Sequence, residues 1–430
     1  MSRTSTPGAS RTTRTTTSTR TTTHPRRRGR ALAATLAGLA LTAVTATVTV
    51  TAGPAGPASA APVHEDRTPQ GRTLGDLAAR HDLAIGTAVD PAALTDPRYR
   101  SIASTEFTSV TAENAMKWEV TEPVRGTYDW SAAERFMAFA ERNDQKVRGH
   151  VLVWNNQLPA WLTEGVASGA IDRAELRGIL KKHVQDTVRH FKGRVWQWDV
   201  VNEAVTDSYD AVDGRIGYKG FWAEQLGPGY VADAFRWARE ADPKALLFYN
   251  DYNIDAFGDG GPLDKTAFVY RMVKRLRENG VPIDGVGSQA HLSTRYGNYS
   301  AFQIADTLER FAGLGVATAL TEVDVRNLLP AEATSDALNP LLQAQAFDYS
   351  ALLTGCLTSR HCISYTVWGF DDNHSWTNTW DFGSGPGREA LAAIYDTGYQ
   401  PKPAYRALQA DLAYSAPPLV QRRIPQRPTP

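Results

Sequence analysis

Cysteine is nearly absent from this chain: Cys356 and Cys362 are the only two in 430 residues. So low a count excludes a disulfide-built scaffold. No Cys/His set has the spacing of a structural zinc site. There is also no HExxH helix, no Walker loop and no Rossmann glycine fingerprint, so metalloprotease, NTPase and dinucleotide-dependent chemistry have no support in the sequence. From Gly71 to Ser415 no Ser/Thr/Pro-rich linker interrupts the chain, which argues for one large domain rather than two. The first 60 residues lack any acidic side chain and carry eight arginines, among them Arg26, Arg27, Arg28 and Arg30.

That acid-free start continues into an uncharged Ala/Leu/Val/Thr-rich stretch from Ala31 to Ala52, then a Gly/Pro segment ending Ala58-Ser59-Ala60. The layout predicts a secretory signal peptide over 1–60, with a long basic n-region and an A-x-A cleavage site, followed by a short linker over 61–70. A transmembrane anchor is the rival reading, because the apolar stretch approaches spanning length. The paired arginines leave general and twin-arginine export both open. Without the leader, the formal neutrality of 46 basic and 46 acidic residues becomes a net charge of about −8. No basic patch invites nucleic acid, and this sign gives no attraction to anionic membranes, so a soluble, secreted, monomeric protein is expected. In an oxidising compartment Cys356 and Cys362 are expected to form a disulfide. The Pro/Arg-rich end, 416–430, is expected to be disordered.

Apolar runs alternate with amphipathic stretches across 71–415. The predicted strands are Leu83–Val89, Ser109–Glu113, Lys146–Trp154, Val195–Asn202, Ala245–Asn250, Gly285–Ala290, Ala317–Val323 and Ile363–Gly369. Between them lie predicted helices over Ser131–Arg142, Arg173–Phe191, Val231–Ala241, Leu263–Asn279, Ala301–Ala312 and Leu341–Leu353, with Pro401–Ala413 closing the last unit. Within Arg173–Phe191, for example, Leu176, Ile179, Leu180, His183, Val184 and Val188 recur at helical spacing. Eight strand–helix units indicate an α/β fold, a (β/α)8 TIM barrel forming a single catalytic domain with enlarged βα loops. An open doubly wound sheet is the competitor, but Gly86-Thr87-Ala88-Val89 is not the phosphate-binding turn it requires.

In such a barrel the C-terminal strand ends face the active site. There the chain places Glu113, Asn114 and Lys117, then His150 and Trp154, Asn202 and Glu203, and Tyr252. The later strands bring Gln289 and His291, Glu322 and Asp324, and Trp368 and Trp376. Each residue taken alone has a structural explanation. Together, carboxylates, amides, imidazoles and indoles suit a sugar, whose hydroxyls need planar polar partners and whose ring faces stack on aromatics. Glu203 and Glu322 each end an apolar strand, and two carboxyls over one pocket can hydrolyse a glycosidic bond.

The segments ENAMKW (Glu113–Trp118), GHVLVW (Gly149–Trp154), WDVVNEA (Trp198–Ala204), NDYN (Asn250–Asn253), GSQAH (Gly287–His291), TEVD (Thr321–Asp324) and VWGFDDNHSW (Val367–Trp376) resemble glycoside hydrolase family 10, in that family's order. The resemblance implies a retaining endo-1,4-β-xylanase acting on xylan and xylo-oligosaccharides, with no cofactor and no metal. It implies Glu203 as acid/base, Glu322 as nucleophile, Asn202 on the 2-hydroxyl of the sugar being cleaved, and His291 on Glu322. It also assigns Glu113, Asn114, Lys117, His150, Trp154 and Gln289 to glycone binding, Tyr252 to the leaving-group side, and Trp368 and Trp376 to the innermost subsites. One departure is Thr377, where the family commonly has arginine, and it bears on the loop after the last strand. A β-1,4-glucanase or mannanase on the same barrel stays open as an alternative, as does a catalytically silent glycan-binding barrel.

Overall fold

Eight parallel strands close on themselves. The computed structural model describes residues 71–418, apart from 209, 210, 212, 330–334, 381 and 383–387, together with Arg422. The expected leader and linker lie outside the described residues. Strands β1 (Ala84–Val89), β2 (Ser109–Ala112), β3 (Lys146–Gly149), β4 (Gln197–Asn202), β5 (Leu246–Asp251) and β6 (Gly285–Ser288) pair in sequence order. A short β7 (His291–Ser293) lies off this path, and β6 pairs next with β8 (Ala317–Leu329). Strand β8 pairs with β9 (Cys362–Val367), and Ala84 of β1 opposite Ser364 of β9 completes the ring. An antiparallel β10 (Arg388–Ala390) covers the far end of β8.

The helices are α1 (Leu74–Ala79), α2 (Pro97–Thr105), α3 (Trp118–Thr121), α4 (Ser131–Arg142), α5 (Ala160–Ala167) and α6 (Arg173–His190). They continue with α7 (Gly220–Leu226), α8 (Tyr230–Ala241), α9 (Lys265–Glu278), α10 (Ala301–Ala312), α11 (Ser335–Thr358) and α12 (Pro403–Tyr414). Their starts are chemically marked. Asp172, Asp264 and Ser300 accept backbone N–H groups in the first turns of α6, α9 and α10, satisfying donors that a helix start leaves unpaired. Strand side chains alternate between the two faces. Leu246, Phe248, Ala317, Ala319 and Ile363 form one small cluster, while Leu247, Tyr249, Val286 and Leu320 join the large one that includes the helices. Gly285 is required here, because a Cβ on it would lie 2.1 Å from the Phe248 ring.

Two strand boundaries differ from expectation by more than two residues. Regular pairing of β3 with β4 stops at Gly149 rather than running to Trp154, and only a single bridge, Val153 with Val201, follows. The break falls at His150, whose ring turns inward onto the Asp199 carboxylate, 2.8 Å away. Strand β8 instead runs past Val323 to Leu329, because its extension finds β7 and β10 as partners. Within the 416–430 end, Arg422 is buried. Arg422 donates to the carbonyls of Cys356, Leu357, Ser359 and Cys362 and to that of His81. The first two of these carbonyls end α11, where a helix leaves acceptors unpaired and favours a cation. Cys356 and Cys362 are joined as the expected disulfide, so Arg422 sits over the loop the disulfide closes. Arg422→Ala is therefore expected to cost about 2–3 kcal/mol of stability, from the loss of charge-assisted hydrogen bonds. A thermal melt checks this, and an unchanged Tm would show the clasp to be idle.

Candidate active site

The cleft at the C-terminal strand ends has a volume of about 1000 Å³. Its two carboxyls are aimed by local backbone irregularities. Residue Glu203 follows β4 with φ 55°, a left-handed conformation that a non-glycine residue adopts at a cost of about 1–3 kcal/mol. This turn lets Asn202 and Glu203, adjacent in sequence, both reach the mouth. On β8 the register against β9 shifts between Leu320 and Val323, as happens where a bulge re-aims side chains. Thr321 and Glu322 thereby both meet Asn250: Thr321 Oγ1 donates to Asn250 Oδ1 at 2.6 Å, and Asn250 Nδ2 donates to Glu322 Oε1 at 2.7 Å.

The two acids live in different surroundings. Glu203 Oε1 accepts from Asn202 Nδ2 at 2.9 Å and from Gln289 Nε2 at 3.0 Å, while Oε2 accepts from Trp154 Nε1 at 2.9 Å. All three donors are uncharged. Glu322 Oε1 accepts from Arg148 at 3.1 Å as well as from Asn250, and its Oε2 lies 3.3 Å from His291 Nε2. Burial alone would push the Glu322 carboxyl up. The neighbouring His150 and His291 rings and the Arg148 guanidinium overcome that and hold it well below the usual carboxylate range. Burial likewise opposes charging His291, but Asp324, 2.7 Å from Nδ1, and Glu322 together raise its pKa to about 10. A chain of amides links the acids, since Asn202 Oδ1 accepts from both Gln289 and Asn250.

Arg148 and Asp199 were not singled out in the sequence, yet they form the floor beneath Glu322. Arg148 donates to Asp199, to Glu322 and to the Thr321 carbonyl, and both charged side chains are almost completely buried. The available signal was a charge inside each strand, Arg148 in KVRG and Asp199 in WDVVN; buried charges require partners. His150, Asp199 and Glu322 bring ligand-type atoms within 4.8 Å of one another. Arg148, bonded to both carboxylates, already supplies the positive charge a cation would bring.

The remaining predicted residues line the same cleft. On one side Lys117 donates to Asn114 Oδ1 at 2.9 Å and stands 4.8 Å from the Trp154 ring centre, near Glu113. Burial lowers the pKa of Lys117, against the pull of Glu322, Glu113 and Glu203. On the other side Tyr252 takes a hydrogen bond from Lys219 at 2.8 Å, and Lys265 Nζ lies 3.6 Å from its ring centre. Trp368 meets the His150 ring edge-on, and Trp376 is fixed by an Nε1 hydrogen bond of 2.7 Å to Asp324. The departing residue, Thr377, is buried and paired with the Ser375 hydroxyl at 2.8 Å. The exposed indole of that loop belongs to Trp380, whose ring centre is 5.9 Å from that of Trp376.

The family model for glycosyl hydrolase family 10 matches residues 73–411. The chain belongs to glycosyl hydrolase family 10. Its similarity to the family's xylanases is broad. It is 42% identical over 312 residues to endo-1,4-beta-xylanase B of Thermotoga neapolitana, covering 73% of this chain and 82% of the relative. It is 38% identical over 341 residues to endo-1,4-beta-xylanase C of Phanerodontia chrysosporium, covering 79% of this chain and 78% of the relative. Among solved structures, family 10 similarity extends to xylanase 10B from Thermotoga petrophila RKU-1 in complex with xylobiose. That match has a TM-score of 0.71 at 37% identity and covers 80% of this chain and 98% of the other.

Proposed function

We propose that this chain is an endo-1,4-β-xylanase that hydrolyses internal xylosidic bonds with net retention, Glu322 acting as nucleophile and Glu203 as acid/base. The observation that carries the division of roles is the unlike hydrogen bonding of the two carboxyls. Cationic donors keep Glu322 ionised, while Glu203 is held by neutral N–H groups and can carry a proton. In the first step Glu322 attacks the anomeric carbon as the C–O bond breaks, and Glu203 protonates the departing oxygen. Esterified Glu322 has lost its charge, so Glu203, now ionised, takes a proton from water. That water adds to the anomeric carbon and frees Glu322.

The xylanase relatives and the xylobiose complex support xylan as the polymer. The acid-free leader with its A-x-A site supports export of the mature chain. Following the anomeric signals of fresh product by NMR is expected to show the β-anomer first, with mutarotation later; α-anomer first would overturn retention. Reducing-sugar release is expected from xylan well above that from carboxymethylcellulose or mannan. Equal rates on the three polymers would point to a broader β-1,4-glycanase, and no release from any would point to a binding protein.

A further inference from the structure

We infer that Trp222 is a positioning residue for the proton on Glu203, acting through Trp154. The inference rests on the acid/base role assigned to Glu203. A carboxyl oxygen has two lone pairs, and those of Glu203 Oε1 are both engaged, by Asn202 and Gln289. The proton for the leaving group therefore belongs on Oε2, and the donor that orients Oε2 is the Trp154 indole at 2.9 Å. Trp154 stands in the irregular segment after β3, outside any helix or strand, so something else must hold its backbone.

That holder is α7. Trp222 Nε1 donates to the Trp154 carbonyl at 2.8 Å, and the Trp222 backbone N–H reaches Asn155 Oδ1 at 3.4 Å. Asn155 in turn donates to the carbonyl of Glu203 itself, at 3.4 Å. At the start of α7, Gly220 has φ 78°, and a Cβ there would fall 2.4 Å from Asn155 Cγ, so the helix is seated directly on this segment. Trp222 is fully buried and does not line the cleft. Its ring lies parallel to Trp118 with centres 5.7 Å apart, and Trp118 stacks on His183 at 3.6 Å. Burial lowers the His183 pKa to about 3, so this end of the stack stays uncharged over the working range. A rigid aromatic pile thus carries one N–H to the backbone that aims the Trp154 indole.

Trp222→Phe keeps an aromatic ring and removes the N–H. On xylo-oligosaccharides kcat is expected to fall about tenfold with KM nearly unchanged, the size of effect that one misplaced hydrogen bond produces. On a dinitrophenyl β-xylobioside, whose leaving group needs no proton, kcat/KM is expected to stay within about twofold. Trp154 is the donor to Glu203 Oε2, so displacing it is expected to move the alkaline limb of kcat/KM to higher pH. Lys117, Asp251 and Lys265 also act on the charge at Glu203, and the substitution leaves all three in place. In a Trp154→Phe background the second substitution is expected to add nothing, since the two residues act in series. Should Trp222→Phe fail to fold, Asn155→Ala at the half-buried side of the same segment carries the same test. An equal fall on both substrates with an unmoved alkaline limb, or no fall on either, would overturn the inference. The assignment of Glu203 fails separately, if Glu203→Ala loses the activated and natural substrates alike.

Discussion

Glu322→Gln is expected to abolish turnover on every substrate, natural or activated, by about 10⁴-fold or more, because no step of a double displacement proceeds without the nucleophile. The substitution is nearly isosteric and leaves Arg148 bonded to Asp199 and to the Thr321 carbonyl, so the fold is expected to survive. Stability should nonetheless change with pH in a defined way. The wild-type carboxyl is depressed below its unfolded value, so it contributes stability above pH of about 4.5 that is lost as pH falls through the lower folded value. His291 has the opposite sign. Its pKa is raised to about 10, so its contribution is complete below about pH 6.5 and lost as pH rises toward 10. The glutamine variant loses the first contribution and part of the second, while Asp324 keeps the rest. Melts of wild type and variant across pH check this. Residual activity on an activated glycoside close to the wild-type rate would sink the nucleophile assignment.

The parts of this molecule that could be read from sequence are those whose pattern is local. The bounds of α4 and α10 coincide with the predicted Ser131–Arg142 and Ala301–Ala312, because a surface helix displays its apolar stripe along a single segment. Short helices such as α7 carry too few turns to show a stripe, and so the contacts of α7 with Trp154 and Asn155 were not anticipated. The extension of β8 escaped for a different reason. After Val323 the sequence runs Asp324, Val325, Arg326 and Asn327, three polar residues in four, which gives no strand signal until β7 and β10 supply partners. The polar side chains then meet each other: Arg326 donates to Glu389 of β10 at 3.0 Å.

The same distinction runs through the site. Residues at strand ends could be placed on one cleft because a barrel has one active face, and knowing the strands was enough for that. Arg148 and Asp199 lie within strands, where a charge is visible but its partner depends on the register of β3, β4 and β8 against one another. Only the folded ring shows that the two charges meet each other and Glu322. Asn250 is similar: the NDYN segment contains it without showing a role for it, and it is central in space because it touches Asn202, Thr321 and Glu322 at once. The low pKa of Glu322 is thus a property of the closed barrel and not of any motif.

Glu203→Ala should behave differently from the nucleophile variant, and the difference carries the assignment. Removing the acid deprives the leaving oxygen of its proton, so hydrolysis of xylan is expected to fall about 10³-fold or more. A dinitrophenolate departs unaided, so formation of the glycosyl-enzyme from the activated substrate is expected to persist within about tenfold, visible as a burst of phenolate. The second step then lacks its base and becomes rate-limiting. Azide, an anion that needs no deprotonation, fits the space the carboxylate leaves and should accelerate turnover, releasing a β-glycosyl azide. Trp154, Asn202 and Gln289 all donate to Glu203, so the variant leaves three N–H groups facing that space. Such donors suit an incoming anion. In Glu322→Gln no intermediate forms for azide to intercept. Identical behaviour of the two variants toward activated substrate and azide would mean that the unlike hydrogen bonding of the two carboxyls does not divide the chemistry between them.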